Sequence, residues 1–159
     1  MKRYIWLFIV AGIIVVLDQY TKALVVANFD PGQFKVIIKG FFHITHSQNP
    51  GAAFGLLRDA PDIIRKPVLL ILPILAFVII LWVLQSVKDK WRVTALALIL
   101  GGAIGNVIDR FRLGYVTDFF RFFYKSWIYP SFNIADAAIC VGFGIWVIHI
   151  LFFEKKAKK

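Results

Sequence analysis

Residues 67–87, PVLLILPILAFVIILWVLQSV, decide the fold because they form an apolar run of 21 positions without a charged side chain. A helix of about 20 apolar residues spans the hydrocarbon core of a bilayer, which is about 30 Å thick. Three further apolar runs lie at residues 4–26, 93–108 and 134–153, and the run at 93–108 is the shortest. The sequence therefore predicts a membrane α-helical protein with four transmembrane helices.

The composition agrees with this prediction. Of the 159 residues, 60% are hydrophobic and 18% are charged, which is more apolar surface than a chain of this length buries in its own core. The single cysteine cannot form an internal disulfide, so a secreted disulfide scaffold is excluded. We find no internal repeat and no second domain, and we expect residues 1–159 to form one integral membrane domain.

The distribution of basic residues predicts the topology, because Lys and Arg close to span ends mark the cytoplasmic side. Nine basic residues crowd three short segments, namely Lys2, Arg3, Lys88, Lys90, Arg92, Lys155, Lys156, Lys158 and Lys159. Those in the two longer connections, 27–66 and 109–133, are more widely spaced. We therefore expect both termini in the cytoplasm and the long connections outside. Membrane topology also explains the net charge of +10, so no nucleic-acid partner is expected.

The first apolar run has an alternative interpretation as a cleaved signal peptide. Two basic residues precede it, and it ends with Val25, Val26 and Ala27, which fit the rough pattern of a cleavage site. Asp18 and Lys22 argue against cleavage, since the apolar core of a signal peptide has no use for an acid and a base. We expect this run to remain as the first span.

The two long connections have different characters. Residues 33–39 and 41–46 are rich in β-branched and aromatic side chains around Gly40, which predicts a small hairpin or bent sheet at the membrane surface. The second connection interleaves Arg121 and Lys125 with aromatic residues, namely Phe119, Phe120, Phe122, Phe123, Tyr124, Trp127 and Tyr129. This pattern predicts an interfacial aromatic segment, either a passive anchor or a platform for a peptide or lipid.

Polar residues that a membrane makes costly concentrate at one depth. A charged side chain inside a span costs at least about 2.5 kcal/mol, so each requires a partner or a function. By position in the spans and connections, the following group reaches the outer leaflet boundary: Asp18, Lys22, Asn49, Asn106, Asp109, Arg110, Asp118, Asn133 and Asp136. This boundary is the predicted level of the functional site.

Several members of this group have possible structural roles. Asp18 and Lys22 have the i, i+4 spacing of a helical ion pair, and Asp109 could neutralise a helix end together with Arg110. Asn133 could cap the fourth helix. For these residues a structural and a functional role both remain open.

Asp118 and Asp136 differ from the others because neither has a basic residue four positions away, which is the spacing of Asp18 and Lys22. Two carboxylates that meet in a poorly hydrated site cannot both ionise, so they share a proton. One can then act as a base towards water while the other acts as an acid towards a carbonyl. The pair predicts aspartic-type hydrolysis of an amide bond.

The sequence gives less support to other catalytic mechanisms. Cys140 lies within the fourth run, where we expect it to pack rather than react. His43 and His46 are three apart in an extended segment and point to opposite faces, which disfavours a metal site. His149 lies near the predicted cytoplasmic end. We expect neither a metal nor a cofactor.

Two rival functions belong to other classes. A small four-helix transporter would carry ions or protons on Asp18 and Lys22, but its charges should lie near the bilayer midplane with short connections between spans. A noncatalytic anchor or assembly factor would need no unpaired carboxylates.

Five sequence blocks together resemble lipoprotein signal peptidase, also called signal peptidase II. The blocks are DQYTK at 18–22, NPGAAF at 49–54, GGAIGNVIDR at 101–110, VTDF at 116–119 and FNIAD at 132–136. Each block is modest alone, but their order, the chain length and the four spans make the resemblance specific.

The resemblance implies a bacterial inner-membrane aspartic endopeptidase that removes the signal peptide from prolipoproteins, immediately before a diacylglyceryl-modified cysteine. It also implies a small extracytoplasmic β-cradle, contact with membrane lipid and inhibition by the cyclic peptide globomycin. By motif position, Asp118 and Asp136 match the catalytic dyad. The residues that match substrate-binding or site-lining positions are Asn49, Gly51, Asn106, Arg110 and Asn133, with Asp18 and Lys22 as a pair near the floor of the site.

Overall fold

A computed structural model describes residues 1–51, 56–57 and 59–153 of the chain. It contains four helices, namely α1 (Lys2–Asn28), α2 (Asp62–Leu84), α3 (Lys90–Leu113) and α4 (Ile134–Phe152). It also contains four strands, namely β1 (Phe34–Ile38), β2 (Phe42–Asn49), β3 (Val116–Tyr124) and β4 (Trp127–Ile128). Each helix is long and apolar enough to cross a membrane. The prediction of a four-helix membrane protein with a small sheet is confirmed.

α3 lies at the centre of the helices. Half of its most apolar stretch is buried, compared with 17–22% in α1, α2 and α4. Glycines allow this close packing: a Cβ atom on Gly101 would lie 2.8 Å from the backbone oxygen of Ala11 in α1. Gly102 meets the backbone oxygen of Ala135 in α4 in the same way. The small residues of the third run therefore serve helix packing, as predicted for helices in lipid.

α3 is longer than the apolar run at 93–108. Asp89 caps its N-terminus by accepting a hydrogen bond from the backbone N–H of Arg92 at 2.9 Å. It ends at Leu113 and is followed by Gly114, whose φ of +81° is the left-handed conformation that favours glycine after a helix. Asn106, Asp109 and Arg110 therefore lie on the last two turns of a continuous helix.

The four strands form one antiparallel sheet in the order β1-β2-β3-β4. The predicted hairpin is present as β1 and β2, and Gly40 between them has a φ of +72°. β3 and β4 come from the aromatic connection, where the sequence pattern predicted no strand. The first four residues of β3 are all buried, so this part of the strand has no alternation of apolar and polar positions from which to recognise it.

Apolar and polar burial occupy different ends of the helices. One apolar cluster joins the first halves of α1 and α3 to the end of α2, and it comprises Leu7, Ala11, Ile80, Leu84, Val87, Val93, Leu96, Ala97 and Leu100. The buried polar residues lie in the second halves of α1 and α3, in β2 and β3, and at the start of α4. The fold therefore brings the polar groups together at one end.

Candidate active site

Asn133 and Asp136 form a capping box at the start of α4. The side-chain oxygen of Asn133 accepts the Asp136 N–H at 2.9 Å, and Asp136 Oδ2 accepts the Asn133 N–H at 3.3 Å. Both bonds satisfy backbone donors that a helix N-terminus leaves free. The capping role suggested for Asn133 is confirmed, and the cap fixes the Asp136 carboxylate at the first turn.

Asp118 lies on β3 and is 2% exposed. Its Oδ1 accepts the Asn133 side-chain amide at 2.7 Å, and its Oδ2 accepts the Asn49 amide from β2 at 3.0 Å. Asn133 therefore binds the carboxylate of Asp118 and caps the helix turn that carries Asp136. The structure brings the two predicted dyad residues to one asparagine.

Asn106 on α3 connects Asp136 to the charges beneath it. Its Nδ2 donates to Asp136 Oδ1 at 2.8 Å. Its Oδ1 accepts from the Lys22 ammonium at 3.1 Å and from Asn133 Nδ2 at 3.2 Å. Because both groups at Oδ1 can only donate, the amide of Asn106 has one favourable orientation.

Lys22 is shared between two buried carboxylates. Its Nζ lies 2.8 Å from Asp18 Oδ2 and 3.1 Å from Asp109 Oδ2, and the exposed fraction of each of these residues is 3% or less. The Asp18–Lys22 pair is present, but it is not self-contained. Asp109 was suggested as a possible partner of Arg110 at the helix end, but α3 turns its carboxylate towards α1, where it contacts Lys22.

Arg110 extends towards the connection that follows β2. Its Nη2 donates to the Gly51 carbonyl oxygen at 2.9 Å, and its Nη1 donates to the Asn106 carbonyl oxygen at 3.3 Å. The Gly51 N–H donates in turn to Asn49 Oδ1 at 3.0 Å. Arg110 and Asn49 therefore fix the start of this connection beside Asp118. The rest of the NPGAAF block, residues 52–54, lies outside the described residues.

Two cavities lie beside Asp136. One of about 290 Å³ lies among α2, α3 and α4, and another of about 480 Å³ lies between the aromatic segment and α4. Asn49 and Asp136 line both cavities. Asp18 and Lys22 are not among the described residues that line either one. Apolar groups of a bound molecule could therefore approach Asp136 from two sides, one through each cavity.

The surroundings of Asp118 favour its neutral form. Burial raises the pKa of Asp118 to about 7, and the charge of Asp136 acts in the same direction. Hydrogen bonds from Asn49 and Asn133 lower the pKa and so limit the rise. Asp118 can therefore hold a proton near neutral pH, as required of one member of a catalytic carboxylate pair.

The residues outside this network take other roles. Cys140 is exposed on α4 and lines the larger cavity, so the expectation that it is a packing residue is wrong. His43 stacks on Phe34, and His46 is buried with its Nδ1 2.8 Å from the Phe29 carbonyl oxygen. Within residues 1–51, 56–57 and 59–153, no three His, Cys, Asp or Glu side chains are placed to bind a metal ion.

Sequence reasoning missed two participants. Gln19 donates to Asp109 Oδ1 at 2.9 Å, and the backbone N–H of Thr117 donates to Asp109 Oδ2 at 2.9 Å. Gln19 lies in the DQYTK block, but it did not stand out because it is uncharged and only partly buried. The contact of Thr117 uses a backbone N–H, which the amino-acid sequence does not reveal. The available sequence signal for these two contacts was their shared acceptor, Asp109, which lies in the GNVIDR segment.

Comparisons with known proteins agree with this arrangement. The sequence profile described as Signal peptidase (SPase) II matches residues 10–152. The chain is 43% identical to a lipoprotein signal peptidase of Desulforapulum autotrophicum, over 95% of this chain and 94% of that protein. It is 40% identical to the lipoprotein signal peptidase of Syntrophus aciditrophicus, over 98% and 99% of the two chains.

A solved structure is similar along nearly the whole chain. It is described as a bacterial membrane enzyme structure by the in meso method at 2.3 Å resolution, and it matches with a TM-score of 0.81 and 29% identity. The match covers 96% of this chain and 91% of the other. On sequence and fold together, this chain belongs to the signal peptidase II family of lipoprotein signal peptidases.

Proposed function

We propose that Asp118 and Asp136 are the catalytic carboxylates of this chain, which as a signal peptidase II removes the signal peptide from prolipoproteins. The observation that carries this proposal is the position of Asn133. Its side chain donates to Asp118 Oδ1 at 2.7 Å and accepts the N–H of Asp136 at 2.9 Å, while remaining fully buried. The buried side-chain amide of Asn133 therefore fixes the position of Asp118 relative to Asp136.

The surroundings of the two carboxylates suggest a division of labour. Asp118, with its raised pKa, holds the proton and acts as the acid. Asp136 Oδ1 accepts from Asn106 Nδ2, and Asp136 Oδ2 accepts from the Asn133 N–H, which stabilises an anion that can act as the base. Asp136 also lines both cavities, where water and substrate have access to it.

The hydrolysis then follows in two steps. Asp136 takes a proton from water as the oxygen attacks the scissile carbonyl carbon, and Asp118 gives its proton to the carbonyl oxygen. In the tetrahedral intermediate the C–N bond breaks, and Asp136 returns its proton to the leaving amine. Asp118 regains the proton of the hydroxyl as the carboxylic acid forms, so the dyad ends as it began.

The neighbouring polar groups would support substrate binding. Asn49, Asn106 and Asn133 hold the carboxylates, while Arg110 and Gly51 present a fixed segment of backbone beside them. The two cavities expose mainly apolar side chains, which suits the apolar end of a signal peptide and the diacylglyceryl group on the cysteine. Globomycin, a cyclic peptide with apolar groups, would compete for the same space.

We further propose that the protein lies in the bacterial inner membrane, with both termini cytoplasmic and the site at the outer leaflet. The basic residues in the first turn of α1 and around the turn from α2 into α3 support this orientation. A signal peptide that crosses the membrane as a helix then presents its cleavage site at the level of the dyad, and the acyl chains remain in lipid.

The dyad is tested by Asp118→Asn and Asp136→Asn, assayed with a lipid-modified prolipoprotein and purified protein in detergent. Each variant should lose about 10²- to 10⁴-fold in cleavage rate, the usual contribution of an acid or base group, while remaining folded. Cys140→Ala is the control, because the thiol shares a cavity with Asp136 but has no role in the proposed chemistry. Full activity in either asparagine variant would exclude the proposed dyad.

A further inference from the structure

Three buried charges lie next to the dyad without a part in the chemistry proposed above. Asp18, Lys22 and Asp109 have exposed fractions of 0%, 3% and 3%, and none is among the described residues that line the two cavities. A group in this position does not face the space that we propose for the substrate. Its influence on the reaction must pass through the residues that it holds.

Asp18 holds the backbone that precedes Asp136. Its Oδ1 accepts the N–H of Ala135 at 2.9 Å, although Ala135 belongs to α4 and Asp18 to α1. Its Oδ2 contacts the Lys22 ammonium at 2.8 Å. Ala135 is itself fully buried, so the start of α4 is fixed against α1 at this point.

Asp109 holds the backbone that precedes Asp118 in the same way. Its Oδ2 accepts the N–H of Thr117 at 2.9 Å and contacts Lys22 Nζ at 3.1 Å. The carbonyl oxygen of Thr117 accepts from Asn133 at 3.3 Å. The residue before Asp118 is therefore fixed through both its N–H and its carbonyl group, by α3 and by the cap of α4.

Lys22 joins these two attachments. Its ammonium contacts Asp18, Asp109 and the side-chain oxygen of Asn106, which accounts for its three donors. The third contact orients the Asn106 amide so that its Nδ2 faces Asp136. One ammonium thus connects the two acids, and each acid accepts the N–H of the residue immediately before a dyad carboxylate.

We propose that Asp18, Lys22 and Asp109 form a positioning unit that fixes the backbone before each carboxylate of the dyad and so sets their relative geometry. This inference rests on the proposed function, because it requires Asp118 and Asp136 to be the reacting groups. It identifies Asp109 as a further positioning residue. A structural ion pair alone would not need to contact the two segments that carry the dyad.

Asparagine substitutions should affect the two acids unequally. Asp18 accepts at Oδ1 from Ala135 and at Oδ2 from Lys22, so an amide with a single oxygen can satisfy only one of them. Asp109 accepts from both Lys22 and Thr117 at Oδ2, and only Gln19 at Oδ1. An amide oxygen at the Oδ2 position retains the two important contacts.

The experiment measures kcat and KM per folded enzyme on a lipid-modified prolipoprotein, with the folded fraction taken from size-exclusion chromatography in detergent. Asp18→Asn and Asp109→Ala should each lower kcat by about 100-fold, the loss expected for a small misplacement of reacting groups, and leave KM within about threefold. Asp109→Asn should lose less than about 10-fold in kcat. Asp89→Asn, which removes an acid from the opposite end of α3, is the matched control and should retain kcat.

Gln19→Met provides a milder variant in case the other variants do not fold. It removes the hydrogen bonds that Gln19 donates to Asp109, to Asp18 and to the Gly105 carbonyl oxygen, but it leaves every charge in place. It should therefore lower kcat by less than Asp109→Ala does. Wild-type kcat in the folded fractions of all four site variants would overturn the positioning unit. Asp118→Asn and Asp136→Asn are assayed in parallel: activity in either one removes the dyad itself, whereas inactivity in both with wild-type kcat in the four variants removes only the positioning unit.

Discussion

Asn133 combines a helix cap with a contact to a proposed catalytic carboxylate. Its side-chain oxygen caps α4, and its amide nitrogen donates to Asp118, so both polar atoms of the side chain form hydrogen bonds. The sequence left a cap and a site residue as alternatives for this position. In the structure one arrangement serves both roles. The carboxylate of Asp136, at the third position of the helix, completes the cap and is also the proposed base.

At the residue scale, the protonation of Asp118 predicts a pH dependence of activity. Burial and the charge of Asp136 raise the pKa of Asp118 to about 7, so the acid form is lost above that pH. We expect the cleavage rate to fall as pH rises through about 7, because the dyad then lacks the proton that Asp118 donates. A rate that stays constant between about pH 6.5 and 8.5, with intact protein and substrate, would contradict this assignment.

The same raised pKa has a consequence for stability. Between about pH 4 and pH 7 the folded state binds more protons at Asp118 than the unfolded state does, so this residue contributes less to stability as pH rises. The thermal midpoint of wild type relative to Asp118→Asn should therefore fall from about pH 4.5 to about pH 7.5 and then level off. Parallel pH curves for the two proteins would exclude a raised pKa at Asp118.

At the element scale, the close contact of α3 with α4 predicts that a single methyl group disturbs the site. A Cβ atom on Gly102 would collide with the Ala135 carbonyl oxygen and lie 2.7 Å from Ile139 Cγ1. Because the backbone cannot move locally, Gly102→Ala should separate the two helices. The overpacking should cost about 1–3 kcal/mol of folding free energy and lower the thermal midpoint by several degrees.

Two glycines provide controls for this substitution. At Gly12 in α1 and Gly144 in α4, an added methyl group would have no atom within 4 Å outside its own stretch of helix. Gly12→Ala and Gly144→Ala should therefore not lower the midpoint. Equal midpoints for Gly102→Ala and the two controls would contradict the close α3–α4 contact.

The elements that the sequence predicted are those with a local signal. Four apolar runs indicated the helices, and the residues around Gly40 indicated the first hairpin. β3 was missed because its buried start has no alternation, and its pairing with β2 joins segments far apart in the chain. The sequence suggested Arg110, the next residue, as a possible partner of Asp109. Its contact with Lys22 depends on the approach of α1 to α3, which has no local signal in the sequence.

The candidate site shows the same limit. Chemistry at Asp118 and Asp136 could be inferred because unpaired carboxylates are costly near a membrane. The backbone N–H groups of Thr117 and Ala135, which tie those carboxylates to Asp109 and Asp18, depend on packing between distant segments. The sequence could therefore suggest the proposed reacting groups, but not the contacts that hold them in place.

At the scale of the whole molecule, the separation of apolar and polar burial argues against the transporter interpretation. The apolar cluster occupies the first halves of α1 and α3, and the buried charges occupy their second halves beside the sheet. Lys22 uses all three of its donors within the protein, so it is not free to carry an ion through it. A site at one end of the bundle suits a substrate that is cut as it leaves the membrane.

The orientation of this bundle in the membrane can be tested by chemical labelling. Lys88 lies in the turn between α2 and α3, and Lys90 and Arg92 lie in the first turn of α3, while the sheet lies at the other end of the helices. If basic residues mark the cytoplasmic side, a cysteine at Lys90 is protected from an impermeant thiol reagent applied to intact spheroplasts, and a cysteine at Gln33 reacts. Both positions are exposed in the structure, so only the membrane can make them differ.

The labelling uses a Cys140→Ala background, because Cys140 is exposed on α4 and would otherwise react when reagent reaches it. Permeabilised cells serve as the control, and there both introduced cysteines should react equally. Lys158, a further position of this kind near the C-terminus, lies outside the described residues. Reaction at Lys90 with protection at Gln33 in intact spheroplasts would invert the orientation. The dyad would then face the cytoplasm, on the wrong side of the membrane for a translocated prolipoprotein.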